Sequence, residues 1–226
     1  MKVLSLAALL VLAAGFTASA IAQGQPESSP GTAGGTASPA TSTDAAAPTS
    51  PPTKVFAGAG LGGGFGARAK FNGRSVSFDD QLLGTTDKSP LVAVNVASFG
   101  IAMRPGLYAG LDLTGFGQSA TALNGDRRNL QITNYFAALT WFPWETGLFL
   151  RGGAGLSQFL TRTGSTTEHS GGLGLLVAAG YALQLTGAHH LSLTVEQTWQ
   201  SYGGSSLTKP DSSQIGGVFL GYMWMP

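Results

Sequence analysis

The chain has 226 residues, with 12 Lys and Arg, 11 Asp and Glu, three His and no Cys, and its formal net charge is +1. This balance gives no electrostatic reason to expect a nucleic-acid partner, and the lack of Cys excludes disulfides and thiolate chemistry. Only 10% of the residues are charged and 34 are Gly, whereas charged residues make up about 25% of an ordinary soluble domain. The composition therefore favours a protein whose outer surface contacts lipid.

The first 22 residues have the three parts of a secretory signal. Lys2 supplies a positive charge, the run from Val3 to Phe16 is apolar, and Ala20 and Ala22 fit a small-residue cleavage site. A membrane anchor is the alternative, but a helix needs about 20 apolar residues to span a bilayer. We therefore expect residues 1–22 to be removed as a signal peptide.

The next segment, residues 23–54, is rich in Pro, Ser, Thr and Ala. It contains no aromatic side chain, and Ala is its only aliphatic residue. Such a segment cannot bury enough apolar surface to offset the entropy lost on ordering. We predict a disordered linker, which either spaces the following domain from the processing site or binds a partner.

Residues 55–226 form the predicted domain, in which apolar and polar residues alternate with the period of two that is typical of β-strands. Eight stretches fit this pattern: Val55–Phe71, Leu91–Met103, Leu107–Gln118, Leu130–Phe142, Leu148–Thr161, Leu173–Gln184, His190–Tyr202 and Gln214–Trp224. In the fourth stretch the apolar phase changes between Phe136 and Leu139. This change predicts a β-bulge near Ala137 and Ala138.

Long polar loops and tight turns alternate along these eight strands. The predicted loops are 72–90, 119–128, 162–170 and 203–213, and the predicted turns are 104–106, 143–146 and 186–189. Outer-membrane barrels sort their connections in this way, with short turns in the periplasm and longer loops outside. Closure also leaves no strand edge unpaired, as a bilayer requires. We therefore predict an all-β, eight-stranded antiparallel up-and-down transmembrane β-barrel with both termini in the periplasm.

Aromatic residues near the strand ends predict the two girdles of such a barrel. The inner girdle would contain Trp141, Phe142, Trp144, Phe149, Tyr222 and Trp224, and the outer girdle Phe71, Phe116, Phe159, Trp199 and Tyr202. Phe149 and Phe159 would be separated by roughly 24 Å along the membrane normal, at about 3.4 Å per residue and a strand tilt near 45°. That separation matches the height of an apolar band.

With these features, the domain resembles the small eight-stranded outer-membrane barrels of the OmpA/OmpX type. The resemblance covers residues 55–226 and rests on the strand rhythm, the aromatic final strand, and the stretches Leu148–Ser157 (LFLRGGAGLS) and Gly171–Leu185 (GGLGLLVAAGYALQL). It implies contact with outer-membrane lipid and assembly by the barrel-insertion machinery. Relatives usually end on an aromatic residue, whereas this chain ends Trp224-Met225-Pro226. The family implies no single function, because its members include anchors, adhesins, narrow pores and a few lipid-modifying enzymes.

Strand alternation directs five charged side chains toward the barrel interior: Arg68, Lys70, Asp112, Arg151 and Glu196. Eight strands enclose a space just wide enough for side chains to fill, and a lone buried charge is unfavourable. We therefore expect Arg151 to pair with Glu196, with Asp112 or with both. The network would plug and rigidify the barrel, and the alternative is a gate on a narrow ion path.

Two motifs carry residue types that are used in chemistry, but the pattern around each favours a plainer interpretation. Gly58–Gly63 has the spacing of a dinucleotide-binding loop, yet no helix begins inside it. His190, Ser192 and Glu196 are the residue types of a Ser/His/acid set, loosely similar to that of barrel lipid deacylases, yet they face the interior and not the lipid. His169 stands alone in a loop, so no metal cluster is visible.

We therefore predict a non-enzymatic outer-membrane protein without catalytic residues, cofactor, metal or nucleic-acid partner. Its interior would be polar and plugged, and its role would be structural or one of surface interaction. An extracellular partner would bind through loops 72–90, 119–128, 162–170 and 203–213. A narrow channel for ions or small solutes is the alternative, and a lipid-modifying barrel enzyme is the third hypothesis.

Overall fold

The computed structural model describes residues 54–82, 85–144, 147–203 and 209–226. The predicted signal peptide, and the predicted linker apart from Lys54, lie outside the described residues. The elements are β1 (Val55–Phe71), β2 (Arg74–Ser77), α1 (Phe78–Gln81), β3 (Thr85–Thr86), β4 (Val92–Arg104), β5 (Leu107–Ala122), β6 (Arg127–Trp141), β7 (Gly147–Thr163), β8 (Thr166–Thr186), β9 (His189–Tyr202) and β10 (Ser212–Trp224). Within the described ranges, no helix is long and apolar enough to cross a bilayer.

The eight long strands form a closed antiparallel barrel. Strands β4 to β10 pair in chain order, and β1 closes the ring by pairing with both β4 and β10. The short strands β2 and β3 lie outside the ring, on β1 and β5 respectively. The prediction of an eight-stranded antiparallel barrel is confirmed, and each long strand has a hydrogen-bonded neighbour on both sides, as a membrane-spanning sheet requires.

The strands tilt strongly against the barrel axis. Following paired residues once around the ring from Gly64 of β1 leads back to β1 at Lys54, ten residues nearer the N-terminus. An offset of this size over eight strands corresponds to a tilt of about 40°. The same relation between strand number and offset leaves an interior that side chains fill completely.

Large apolar side chains cover the outside of the barrel at alternating strand positions. Leu111 and Leu173 are each 67% exposed, Leu156 is 63% exposed and Leu220 is 58% exposed. A continuous apolar belt of this kind is not tolerated on a monomer in water, whereas a bilayer requires it. The outer surface is therefore that of a barrel embedded in lipid.

Strand β6 alternates without interruption, so the prediction of a bulge near Ala137 and Ala138 is wrong. Its pairing with β5 and β7 has no register shift. Ile132 and Phe136 face the interior, whereas Leu139 is exposed on the outside. The apparent change of apolar phase arises because Ile132 and Phe136 are large apolar residues at inward positions.

The first strand, β1, contains a bulge at Gly66. The φ of Gly66 is +61°, in the left-handed region that only Gly adopts without steric strain. The register against β10 shifts between Phe65 and Arg68. This extra residue reverses the alternation, so that Ala67 and Ala69 point into the barrel.

Several strands continue past the predicted loop boundaries. Residues 123–126 join β5 to β6 and residues 164–165 join β7 to β8, so the predicted loops 119–128 and 162–170 are mostly strand and those boundaries are wrong. Polar β-formers such as Thr continue a ladder in water. The 72–90 connection contains β2, α1 and β3, and it begins with a tight turn at Asn72 (φ +45°) and Gly73 (φ +83°), the Asn-Gly pattern of a type I′ hairpin.

The barrel interior is apolar at both ends and mainly polar between them, where Phe136, Leu176 and Ala178 form a small apolar cluster. The outer core, at the loop end, includes Phe78, Leu82, Phe116, Leu130, Ile132, Phe159, Ile215 and Phe219. The inner core, at the turn end, consists of Phe56, Tyr108, Phe142, Phe149, Ala182 and Met223. The prediction of a polar interior therefore holds only for the middle of the barrel.

Six predicted girdle residues lie in or against these two cores, so their placement on the membrane surface is wrong: Phe71, Phe116, Phe142, Phe149, Phe159 and Tyr202. The other five are exposed, namely Trp141, Trp144, Trp199, Tyr222 and Trp224. Among these eleven residues, the wholly apolar Phe side chains lie in the interior, whereas the indole and phenol rings lie where their polar atom contacts water. Tyr202 is the exception among these eleven, and its hydroxyl lies 2.8 Å from Ser213 Oγ inside the barrel.

Inward aromatic rings rest on glycines of the neighbouring strand. Phe149 lies over Gly180, and Phe56 lies over Gly100. A Cβ at Gly180 would stand 2.3 Å from the Phe149 ring and 2.7 Å from the carbonyl oxygen of Leu193. These glycines provide the room that large rings need in so narrow a barrel.

We expect Gly180→Ala to lower the free energy of unfolding by about 1–3 kcal/mol, because an aromatic ring and a backbone carbonyl must both shift. Gly171→Ala on the same strand is the matched control, since nothing lies within 4 Å of a Cβ built there. Urea unfolding in detergent micelles, followed by tryptophan fluorescence, gives both midpoints. Identical midpoints for the two variants would contradict this packing role.

Candidate functional site

The polar layer between the two cores is centred on Arg151 of β7. Its guanidinium forms an ion pair with Asp112 of β5, and the two side chains are only 4% and 1% exposed. Both residues stand at inward positions of strands that pair through β6 without a register shift. The regular alternation of side chains along β5 and β7 therefore places both charged side chains inside the barrel.

Further contacts hold the Arg151 guanidinium in place. Its Nε donates to Thr140 Oγ1 at 3.0 Å, and its Nη1 donates to Ser98 Oγ at 2.8 Å. Its Cζ lies 5.5 Å from the centre of the Phe149 ring and 5.8 Å from that of Phe56, within the range of cation–π attraction. The cation is thus satisfied by one acid, two hydroxyls and two rings of the inner core.

Strand β4 supplies two neutral donors to Asp112. Ser98 Oγ donates to the carboxylate at 2.6 Å and Asn95 Nδ2 donates at 3.2 Å. These two residues are three apart, yet both point inward, because the pairing of β4 with β5 shifts between Asn95 and Ala97. Sequence reasoning missed both donors, since strict alternation places only one of them inside.

Glu196 of β9 lies in the same layer, 2% exposed, but outside the ion pair. Among the described residues, the acid within 4.0 Å of Arg151 is Asp112. Oε1 of Glu196 has no hydrogen-bond partner in the described part of the chain. The structure therefore brings Arg151 together with Asp112 and leaves Glu196 beside them.

Arg68 and Lys70 do not belong to this layer, and the prediction that they point inward is wrong. Both side chains are exposed on the outer face of β1. The bulge at Gly66 comes just before them and reverses the alternation on which the prediction depended. Neither forms an ion pair with a described residue.

A network of hydroxyl and amide side chains lies between the level of Glu196 and the outer core. Its members are Thr114, Asn134, Ser157, Thr198, Gln200, Tyr202 and Ser213. Asn134 Nδ2 donates to Thr114 Oγ1 at 3.3 Å, and Gln200 Nε2 donates to Thr198 Oγ1 at 2.8 Å. Buried networks of this kind specify one arrangement of the strands, because any other leaves polar groups unsatisfied.

Aromatic rings cover the polar layer at both ends. In the inner core the rings of Phe142 and Phe149 are 5.4 Å apart, centre to centre. In the outer core the Phe159 ring lies 5.9 Å from the rings of both Phe78 and Tyr202. The cavity beside Arg151 has a volume of about 20 Å³, which is room for one water molecule.

The remaining candidate sites do not assemble into catalytic or metal-binding groups in the described residues. His190, Ser192 and Glu196 are all buried inside the barrel, and no hydrogen bond joins them there. Gly58–Gly63 lies in the middle of β1 and leads into no helix. His169 is exposed, and the described chain has no group of three metal-ligating side chains.

No protein-family model and no curated protein matches this chain. Among solved structures, it is similar to Ail, the attachment invasion locus protein of Yersinia pestis, solved in complex with the heparin analogue sucrose octasulfate (11% identity, TM-score 0.49, covering 77% of this chain and 99% of that one). It is also similar to Neisserial surface protein A (14%, 0.47, 75% and 96%) and to the outer membrane protein OprG from Pseudomonas aeruginosa (12%, 0.41, 77% and 95%).

Breaking the buried ion pair is expected to be more harmful than removing it. Arg151→Met leaves Asp112 buried without its counter-charge and should lower the free energy of unfolding by about 3–5 kcal/mol. Asp112→Asn together with Arg151→Met should recover part of that loss. Unfolding midpoints in detergent micelles measure both variants.

Arg162→Met is the matched control for this series, because Arg162 is exposed on the same strand, β7. We expect it to change the free energy of unfolding by less than about 0.5 kcal/mol. If Arg151→Met and Arg162→Met have the same midpoint, the ion pair does not hold the interior together.

Proposed function

We propose that this chain is a non-enzymatic outer-membrane barrel with a closed interior and a structural or surface-interaction role. The exposed apolar belt supports a location in the membrane. β1 begins and β10 ends at the end of the barrel that carries the tight turns, and short turns lie in the periplasm in such barrels. Both ends of the barrel domain are therefore assigned to the periplasm.

The observation that carries the closed interior is the burial of Arg151 and Asp112 between two aromatic cores. A water-filled pore needs a polar lining from one end to the other. Here an aromatic core interrupts the polar lining at each end of the barrel, and its charges are almost inaccessible. This arrangement supports a plugged interior and not an ion path.

Strands that continue past the membrane support a role for the loop end in contacting a partner. The β5–β6 and β7–β8 hairpins remain paired up to four-residue and two-residue connections, so they form rigid projections. Exposed residues near their tips carry both signs of charge, as Asp126, Arg127 and Arg162 show. A mixed surface of this kind specifies no single class of partner.

A closed membrane barrel makes three joint predictions for the full-length protein. It should fractionate with the outer membrane, change its mobility on SDS gels when boiled, and give no steady conductance in planar bilayers, where an open porin measured in parallel does. The Arg151→Met variant should also fail to conduct, because both aromatic cores remain. Stepwise currents in the wild type, or currents that appear only in Arg151→Met, would favour the channel.

A further inference from the structure

Two cations stand on the outer face of β1 at its loop end. On the same face and strand, Leu61 and Phe65 are 54% and 47% exposed, as residues facing lipid are. Arg68 and Lys70 follow immediately, both exposed and neither in an ion pair with any described acid. We propose that Arg68 and Lys70 bind the phosphate of an anionic lipid headgroup in the outer leaflet. This proposal rests on the membrane location proposed above.

The depth of these cations follows from the neighbouring strand. Trp224 and Gln214 are both outward residues of β10, ten positions apart. At about 3.4 Å per residue and a tilt near 40°, roughly 25 Å separate them along the membrane normal, which is the height of the apolar band. Arg68 is paired with Gln214, so the guanidinium stands at the outer edge of that band.

A second marker of the same boundary lies on the next strand. Trp199 of β9 pairs with Gln214 from its other side and is 43% exposed. Indole rings concentrate at the level of lipid headgroups. One row across three strands, from Arg68 through Gln214 to Trp199, therefore carries a cation, an amide and an indole at the level where phosphates lie.

The residues opposite the two cations are hydrogen-bond donors and not acids. Arg68 pairs with Gln214 on one side and Ser77 on the other, whereas Lys70 pairs with Ser212 and Ser75. Directly opposed residues of antiparallel strands share a face and lie about 5 Å apart. The outward surface therefore offers a guanidinium, an ammonium, three hydroxyls and an amide to one anion.

Two acids that border this surface are engaged elsewhere. Asp211 Oδ2 accepts a hydrogen bond from the backbone N–H of Gly73 at 3.1 Å, and Asp79 Oδ1 accepts one from Gln118 Nε2 at 2.9 Å.

The two cations suit a lipid phosphate. Arginine binds phosphate through two parallel hydrogen bonds, and the long lysine side chain reaches from the barrel wall toward the level of the headgroups. A lipid phosphate fits better than a soluble anion, because both cations project sideways from the barrel wall into the surrounding leaflet.

Native mass spectrometry of the full chain in neutral detergent tests this site. Bisphosphorylated lipid A and its dephosphorylated form are added in turn, and the bound fraction is measured against concentration. We expect the phosphorylated form alone to remain bound. Arg68→Gln with Lys70→Gln should weaken its binding roughly thirtyfold, since each cation near an anionic headgroup contributes about a fivefold factor.

Arg104→Gln is the matched control, because Arg104 is an exposed cation at the opposite end of the barrel. The affinity of this variant for bisphosphorylated lipid A should equal that of the wild type. Equal binding by the wild type and the double variant, or equal binding of both lipids, would overturn the proposal. Displacement of the lipid by inorganic phosphate would also overturn it, in favour of a soluble-anion site. Heat-modifiability of every variant is read separately, so loss of the barrel is distinguished from loss of the site.

Discussion

The width of a ring of eight strands is the constraint on which the rest of this structure depends. Closure satisfies the backbone without water, but it leaves space for side chains alone. Every inward position must then fit against its neighbours from the opposite wall. The glycines under Phe149 and Phe56 follow from this limit, since each ring occupies the space that a side chain at the paired position would need.

The same limit explains the order of the interior layers. Aromatic clusters at both ends exclude water from the middle, and any charge kept there needs a partner inside the barrel. Arg151 has one in Asp112, together with Thr140, Ser98 and two rings. Such a pair adds little net stability over apolar packing, yet a strand displaced by one residue would turn Arg151 toward lipid and leave Asp112 alone. The pair therefore selects one register.

Alternation in the sequence was enough to predict the barrel and the inward direction of Asp112, Arg151 and Glu196. It failed wherever a strand contains a bulge. Gly66 precedes Arg68 and Lys70 and reverses their side, and the shift after Asn95 lets both Asn95 and Ser98 reach Asp112. A bulge adds one residue without a distinctive residue pattern, and Gly66 is one of many glycines in β1. The Asn72-Gly73 turn, by contrast, had a recognisable signal that a longer loop prediction passed over.

The aromatic residues show a different limit of pattern reasoning. An apolar interior and an apolar bilayer select the same residue types, so Phe116 and Phe159 look alike whether they face one or the other. Among the predicted girdle residues the distinction lies in the polar end of the ring: indoles such as Trp199 and Trp141 face outward, and the phenylalanines lie in or against the cores. Elsewhere Phe65 and Phe99 face outward, so ring type alone does not decide the side. Polar residues with a high strand propensity likewise made the ends of β5 to β8 hard to predict, because paired strands extend beyond the membrane into water.

Because of the bulge at Gly66, the number of residues in β1 constrains the barrel more strongly than the identity of the residues at its outward positions. Many single replacements at its outward positions change only what the surrounding leaflet touches. Loss of the one residue at Gly66 would instead exchange inside and outside for everything beyond it, moving Ala67 and Ala69 to the membrane and two cations into the outer core. We therefore expect the barrel to tolerate insertions and deletions in its connections, and β1 to tolerate only exchanges of residues at fixed length.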